Sequence, residues 1–447
     1  MGRLVRTLCA AGLLLATAPP AQAGPVALLD APRAQDVALS GAEVVIGSSA
    51  AGAGIRVDAV PVTGGPRRPL LSARGPRGSR GTMRVVASSG VVAALAYFDR
   101  DDGTAEFRVY AGPPTGTLTL RERVPATTGS WLPVDVDADA DRLLLTEGRL
   151  PALRFRARML TPGGGAEPVP WSGSFVQAVL AGEHVALVGS RRSGPDAPVN
   201  RVFVVERGTG SVQAEVKLRP SEDVEEGDLD LAPDGRVLVA ADGSILTAAP
   251  GAPQTRLPGD GFTQPRFSAG GIVALQDGRF SARRPVVLDP GAAARELGGP
   301  SADLELLEAD DRGVAWVANG CVLYAERDGA AVAEPPAGPC PRAEVLYEEG
   351  DQTLRGRRLR VIITCVTAPA AGCRGTALLG RRGVFGRAPF RLAAGTRRTV
   401  AIELSERGMR RVRRARRRYD FAIFSLAARV RDGRAHGTSG VLVARTR

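Results

Sequence analysis

The chain has 447 residues, of which 55 are Gly and 33 Pro, with only 4% aromatic residues. Such a length exceeds one small core and calls for two or three domains, and the glycine and proline content favours many turns over long helices. The formal charge is +12, and with only two histidines there is little imidazole for acid–base catalysis.

Residues 1–23 open with Arg3 and Arg6, run through an apolar stretch from Leu8 to Ala18, pass Pro19 and Pro20, and end in Ala21-Gln22-Ala23. A charged start, a short apolar centre and an A-x-A site read as a cleaved Sec-type signal peptide, with Gly24 as the first mature residue. The apolar stretch is shorter than the roughly 20 residues of a membrane anchor. Cys9 lies near its start, which is the wrong place for a lipid acceptor. No later segment is long and apolar enough to span a bilayer. The expected location is extracellular, on the exterior of the cell envelope.

Between Gly24 and Val345 one pattern recurs: a turn holding Gly, Asp or Glu, a compact apolar strand, then Gly or a small polar residue. The strands are GAEVVIGSS, SGVVAALAY, ADRLLLTEG, GEHVALVGS, DGRVLVAADG, GGIVALQDG and DRGVAWVANG. Their first apolar residues are Val44, Val91, Leu143, Val185, Val237, Ile272 and Val314, at intervals of 47, 52, 42, 52, 35 and 42 residues. A 40–50-residue repeat of short strands is the signature of a β-propeller. Before each turn stands an alternating strand such as QDVAL, PVDVDA, GDLDLA or DLELLEA. A third strand follows (IRVDAV, EFRVYA, LRFRARM, RVFVVE, CVLYAE), then a fourth (RRPLLSA, TLTLRER, QAEVKLR). Valine, isoleucine and leucine at period 2 between Gly/Pro/Asp clusters are strand signals. A four-stranded blade cannot bury both faces alone, so blades stack around an axis. The fold class is therefore all-β, with a propeller over residues 24–350. Seven blades are expected, and the irregular sixth repeat leaves six or eight open.

Leu231–Gly251, LAPDGRVLVAADGSILTAAPG, resembles the "SPDGRxLAF" strand-turn-strand of TolB-like and WD-type propellers, and also a quinoprotein-type blade. That resemblance implies the fold and leaves the activity open, because propellers host many functions.

Near Arg355 the pattern changes. RRLRVIITCV, GTALLGR, APFRLAA, RRTVAIEL, FAIFSLAARV and SGVLVAR read as six strands of a second domain, residues 351–447. Between the fourth and fifth, Ser405 is placed to cap a short helix whose Met409, Val412, Ala415 and Tyr419 share one face, although Gly408 disfavours it. The segment resembles the small Ig-like β-sandwich at the end of many exported actinobacterial proteins. Charge divides unevenly. From Leu346 to Arg447 there are 24 Arg and 7 acidic residues, a net of +17, which leaves residues 1–345 at −5 and the mature body at −7. Two modules with different partners are implied. Lys217 is the one lysine and Asn200 and Asn319 the only asparagines, a bias that looks like a GC-rich genome and weakens each arginine as a sign of selection.

Four cysteines remain after signal removal: Cys321, Cys340, Cys365 and Cys373. An even number in an exported chain reads as disulfides, with three connectivities possible. Cys321–Cys340 and Cys365–Cys373 are preferred as short clips. A Cys₄ zinc site wants C-x₂₋₄-C pairs, and spacings of 19, 25 and 8 residues do not supply them.

Catalytic motifs are missing. There is no HExxH, no G-x-S-x-G elbow and no P-loop. His184 is placed in a turn and His436 in a polar loop, neither with a nucleophile nearby. The S-x-D-x-G-x-T-W boxes of sialidase-type propellers are absent, and two asparagines give little material for the calcium sites of lactonase-like ones. Asp135, Asp137, Asp139 and Asp141 alternate with small apolar residues, which puts them on one face about 6.5–7 Å apart. A solvated polar edge is the plain reading. Two of them with backbone carbonyls would suffice for Ca²⁺, the one cofactor the sequence offers.

Arg410, Arg411, Arg413, Arg414, Arg417 and Arg418 fall largely off the apolar stripe of the short helix. They read as a solvated face in an arginine-biased chain, or as a contact for anionic cell-wall polymer or lipid head groups. Nucleic acid is disfavoured, because stacking aromatics are not interleaved with them. The expected function is a monomeric, non-catalytic binding or scaffold protein of the cell exterior, offering propeller loops to a protein or glycan. The alternative is a propeller glycoside hydrolase or lyase with carboxylates gathered at the channel mouth.

Overall fold

The computed structural model describes residues 26–329 and 343–445, apart from short stretches of which 192–199, 150–153, 350–353 and 368–371 are the longest. The second strand of each repeat explains the architecture. It carries an unbroken apolar run, as in VLVAA (Val237–Ala241), every one of them buried. A short run buried on both faces must be covered from both sides. In blade 3, Leu144 packs towards the following blade, while Leu143 and Leu145 pack towards the preceding one. The same division occurs at every seam, so the propeller carries seven separate apolar clusters between seven blades.

Blades 1–6 are four-stranded antiparallel sheets over residues 34–74, 79–125, 131–168, 174–217, 229–256 and 262–296. Blade 7 takes three strands from residues 306–326 and its fourth from the other end of the chain, Val26–Asp30, which pairs with Cys321–Glu326. That strand closes the ring, and the cluster between blades 7 and 1 seals it. The seven-repeat reading is the observed fold.

In each blade the strands are joined by tight turns, and the first strand lies on the axis. In blade 4 the turn is Gly182-Glu183, with Gly182 at φ +56°, a left-handed conformation that glycine adopts without cost. First strands of blades 1, 3, 4 and 6 carry β-bulges. Pairing resumes after them at Asp36, Asp135, Gln177 and Arg266 respectively, all polar. A bulge re-aims side chains, and here it does so at the rim of the channel.

The C-terminal module differs from the sequence reading in two respects. Among the described residues it has eight strands in one sheet, not six, around a single core. Its first strand is Ala343–Glu349, which pairs antiparallel with Arg358–Thr367 and parallel with Gly433–Gly437. The boundary therefore lies ahead of Ala343 and not at residue 351, because AEVLYEE finds its ladder within this module. The helix is Glu406–Arg416, capped by the Ser405 side chain on the Gly408 amide. Gly408 proves necessary: a Cβ there would stand 2.5 Å from the Phe385 carbonyl oxygen. Cys365 and Cys373 form a disulfide. Cys321 is disulfide-bonded too, and its expected partner Cys340 lies outside the described residues, as do Cys9 and the signal segment. Between the modules Ala282 packs on Leu346 and Val366, and the Ser301 hydroxyl meets the buried Glu344 carboxylate at 3.1 Å.

Candidate functional site

Each first strand has one edge without a strand beside it, and its amides need other acceptors. Seven such edges surround a cavity of about 600 Å³ that reaches the turns between first and second strands. Its girdle takes one polar side chain from each blade: Asp36, Arg84, Asp137, Gln177, Asp230, Arg266 and Glu308 in blade order.

The carboxylates are inter-blade acceptors. Asp36 accepts the Val85 amide of blade 2 at 2.7 Å and that of Val37 at 3.0 Å. Asp137 accepts the Leu180 amide of blade 4 at 2.6 Å and that of Ala138 at 2.8 Å; Asp139 accepts the Gly182 amide at 2.8 Å. Asp228 and Asp230 do the same for Gln264 and Phe267 of blade 6, at 2.7 and 2.6 Å. Two further seams are ionic. Arg84 meets Asp135 at 2.9 Å. Arg266 grips both oxygens of Glu308, at 3.0 and 3.2 Å, and donates to the Gly227 carbonyl at 2.7 Å.

Burial dominates the titration of these groups. It pushes Asp36 and Asp137 up to about 7, against the amides they accept and, for Asp36, against Arg84 above all. Asp228 and Asp230 are pushed up to about 6 by the same cause. Burial opposes the charge of Arg266, but Glu308 more than offsets this and keeps the guanidinium cationic. A carboxyl that titrates near neutrality can act as a general acid. Here each oxygen named is already directed at an amide. Among the described residues Phe267 is the one aromatic lining the cavity, and Arg236 covers its ring at 5.1 Å.

Of the acidic run, the structure uses three members to hold blade 3 to its neighbours, while Asp141 is exposed in the turn. Among the described residues no group of three or more His, Cys, Asp or Glu is placed around a metal position. His184 opens the second strand of blade 4, its Nδ1 3.2 Å from the Pro233 carbonyl oxygen. His436 lies in the strand Gly433–Gly437, not in a loop. Sequence reasoning missed Asp36, Arg84, Gln177, Arg266 and Glu308. The only signal available was their place in the alternating strand ahead of each repeat turn.

No protein-family model matches the sequence, and no curated protein is similar to it. Among solved structures the chain is similar to an acylaminoacyl peptidase of Pyrococcus horikoshii, at 11% identity and TM-score 0.42, over 59% of this chain and 45% of that one. It is also similar to the WD40 domain of SCAP from fission yeast, at 10% identity and TM-score 0.36, over 66% and 84%. A putative 6-phosphogluconolactonase of Bacteroides fragilis matches at 11% identity and TM-score 0.37, over 82% and 96%. The chain thus spans less than half the length of the peptidase. The likeness concerns the fold.

On the C-terminal module, Arg410, Arg413, Arg414 and Arg417 are exposed along the helix and its last turn. Arg411 is exposed as well, and it also contacts the body of the module. Its guanidinium lies over Phe385 and Phe424, 5.2 and 5.9 Å from the ring centres, and donates to the Ile423 carbonyl at 2.8 Å. Arg418 lies outside the described residues.

Proposed function

We propose that the protein is an exported, non-catalytic binding or scaffold protein. In this reading the propeller presents its loops to a protein or glycan, and the C-terminal module, an Ig-like sandwich, meets anionic cell-envelope material. The observation that carries it is the channel girdle, whose carboxylates are taken up in holding first strands together and so are not poised over a vacant reaction site. Three disulfide-bonded cysteines outside the signal segment, Cys321, Cys365 and Cys373, support an oxidising compartment. The test is turnover of a broad panel of glycosides, lactones and esters by the purified chain, Asp137→Asn and Asp230→Asn. We expect no turnover above blank from any of them.

A second reading, a carboxylate-dependent glycoside hydrolase or lyase, is favoured by one observation: Asp36 and Asp137 are held near neutrality beside a cavity of about 600 Å³. Turnover by the parent chain that disappears in both variants would install it in place of the first.

A further inference from the structure

Many arginines of the propeller stand beside carboxylates, although Arg149 faces Arg154 across a ladder with no ion pair among the described residues. Arg156 and Arg158 converge on Glu147 of the adjacent strand at 2.6 and 2.9 Å, and Arg123 and Arg108 converge on Glu106. In the C-terminal module Arg357 and Arg397 are paired in the same way, with Glu406 and Glu348, but one face of its sheet is not. Its adjacent strands Gly386–Leu392, Cys373–Leu379 and Phe421–Val430 contain no Asp or Glu. Arg391 stands directly opposite Arg374, and Arg429 stands opposite Thr376, one step along the same face. All three arginines are exposed, and none has an ion pair among the described residues. The opposite face, with Phe390, Ala377 and Leu426, is core.

Like charges directly opposed across a ladder are destabilising. A genome-wide arginine bias would raise arginine in both modules alike. It does not by itself set three arginines in one row on adjacent strands that hold no carboxylate. We propose that the outward face of these three strands is the docking surface for a linear polyanion with a phosphodiester repeat, lying across the strands over Arg391, Arg374 and Arg429. The inference rests on the reading of the C-terminal module as a polyanion contact, and moves that contact from the helix to the sheet. Opposed and diagonal positions are about 5 and 7–8 Å apart, so successive phosphates of an extended chain can each meet a guanidinium fork.

The surroundings select this partner over two others. Phe390 and Phe424 point into the core and offer no platform for stacked bases. The exposed aliphatics of the module, Val384 and Ile423, sit by the helix, where Ser405 and Arg411 bond their carbonyls. Between the arginines lie Thr376 and Pro389, which give a bilayer nothing to embed. The helix is the weaker candidate because its charge is partly engaged: Arg411 is pinned, and Arg413 lies 3.5 Å from Glu406.

The experiment titrates the full chain with a synthetic glycerol-phosphate polymer at rising salt. It compares Arg374→Gln/Arg391→Gln/Arg429→Gln, the same three changed to Lys, and Arg410→Gln/Arg413→Gln/Arg414→Gln, each first checked by its melting curve. The glutamine sheet variant should lose at least tenfold in affinity, and its log-affinity against log-salt slope should fall by roughly 2, for three phosphate contacts on a flexible chain. The lysine variant should keep most of the slope, and the helix variant should lose less than threefold. Loss confined to the helix variant overturns the inference and leaves the proposed polyanion contact standing. Salt-insensitive or absent binding by the parent chain overturns both. Tighter binding to phosphatidylglycerol vesicles or to a single-stranded oligonucleotide of equal charge overturns the choice of partner.

Discussion

The two modules draw on the same arginine-rich composition and use it in opposite ways. In the propeller, charge is turned towards the axis or across a ladder and is neutralised there: Asp36, Asp137 and Asp230 by amides of the next blade, Arg266 by Glu308. On one sheet face of the C-terminal module, Arg391, Arg374 and Arg429 point outward with no ion pair among the described residues. An interior group without a partner is costly, so the axial residues are constrained by the fold. A surface group is not, so an uncompensated surface row calls for an explanation outside the fold.

That contrast can be broken most sharply at Arg266. Removing one partner of a buried pair typically costs 3–5 kcal/mol. Glu308 keeps a third of its side chain exposed, which reduces the expectation for Arg266→Met to about 2–3 kcal/mol in chemical denaturation. An effect under about 0.5 kcal/mol would mean that the axial charges are as dispensable as surface ones.

The second expectation concerns pH. Asp36 and Asp137 have folded-state values raised to about 7. Over the window between the ordinary carboxyl value and 7 the folded protein holds protons that the unfolded chain has released. Stability from this source is complete below about pH 4 and is lost as pH rises through 7. The unfolding free energy should fall from pH 5 to pH 8 by an amount on the order of 2 kcal/mol for each carboxyl, and the melting temperature with it. Asp137→Asn should flatten the profile, because the amide does not titrate while its oxygen still accepts one backbone bond. A profile that rises over the same window would contradict the burial argument.

A smaller effect belongs to the disulfide Cys365–Cys373, which closes a separation of 8 residues. Loop-closure entropy for so short a loop is worth roughly 2 kcal/mol. Cys365→Ala/Cys373→Ala should lower the transition of the C-terminal module and leave that of the propeller in place, as followed by hydrogen exchange in each.

How much of this was legible in the sequence follows from where the information lies. The repeat could be read because the second strand of each blade is covered on both faces and so carries a compact apolar run, a local property that recurs about every 45 residues. The closing strand Val26–Asp30 could not, since five ordinary residues pair with Cys321–Glu326 nearly 300 positions away. The run Asp135, Asp137, Asp139 was visible as an alternation on one face. Its use was not visible, because the amides of Leu180 and Gly182 belong to the next blade. Likewise the row Arg391, Arg374, Arg429 appears only once three strands are set in register. Single-strand features were legible; features made by juxtaposing blades or strands were not.

The smallest expected effect tests the other side of the comparison. If the sheet arginines serve a partner and not the fold, replacing them should cost the isolated protein nothing. Relief of the opposed pair Arg374 and Arg391 should even add a few tenths of a kcal/mol, the usual scale for a cross-strand pair. The gain should shrink as salt rises, since screening at physiological ionic strength already acts over about 8 Å. The measurement is the denaturation midpoint of Arg374→Gln/Arg391→Gln/Arg429→Gln at low and high salt beside the parent chain. A loss of more than about 1 kcal/mol would place these arginines with Arg266 as parts of the fold, and the contrast between the modules would dissolve. A small, salt-dependent gain would leave a row of charges that the fold does not need, kept at a cost that only a bound anion removes.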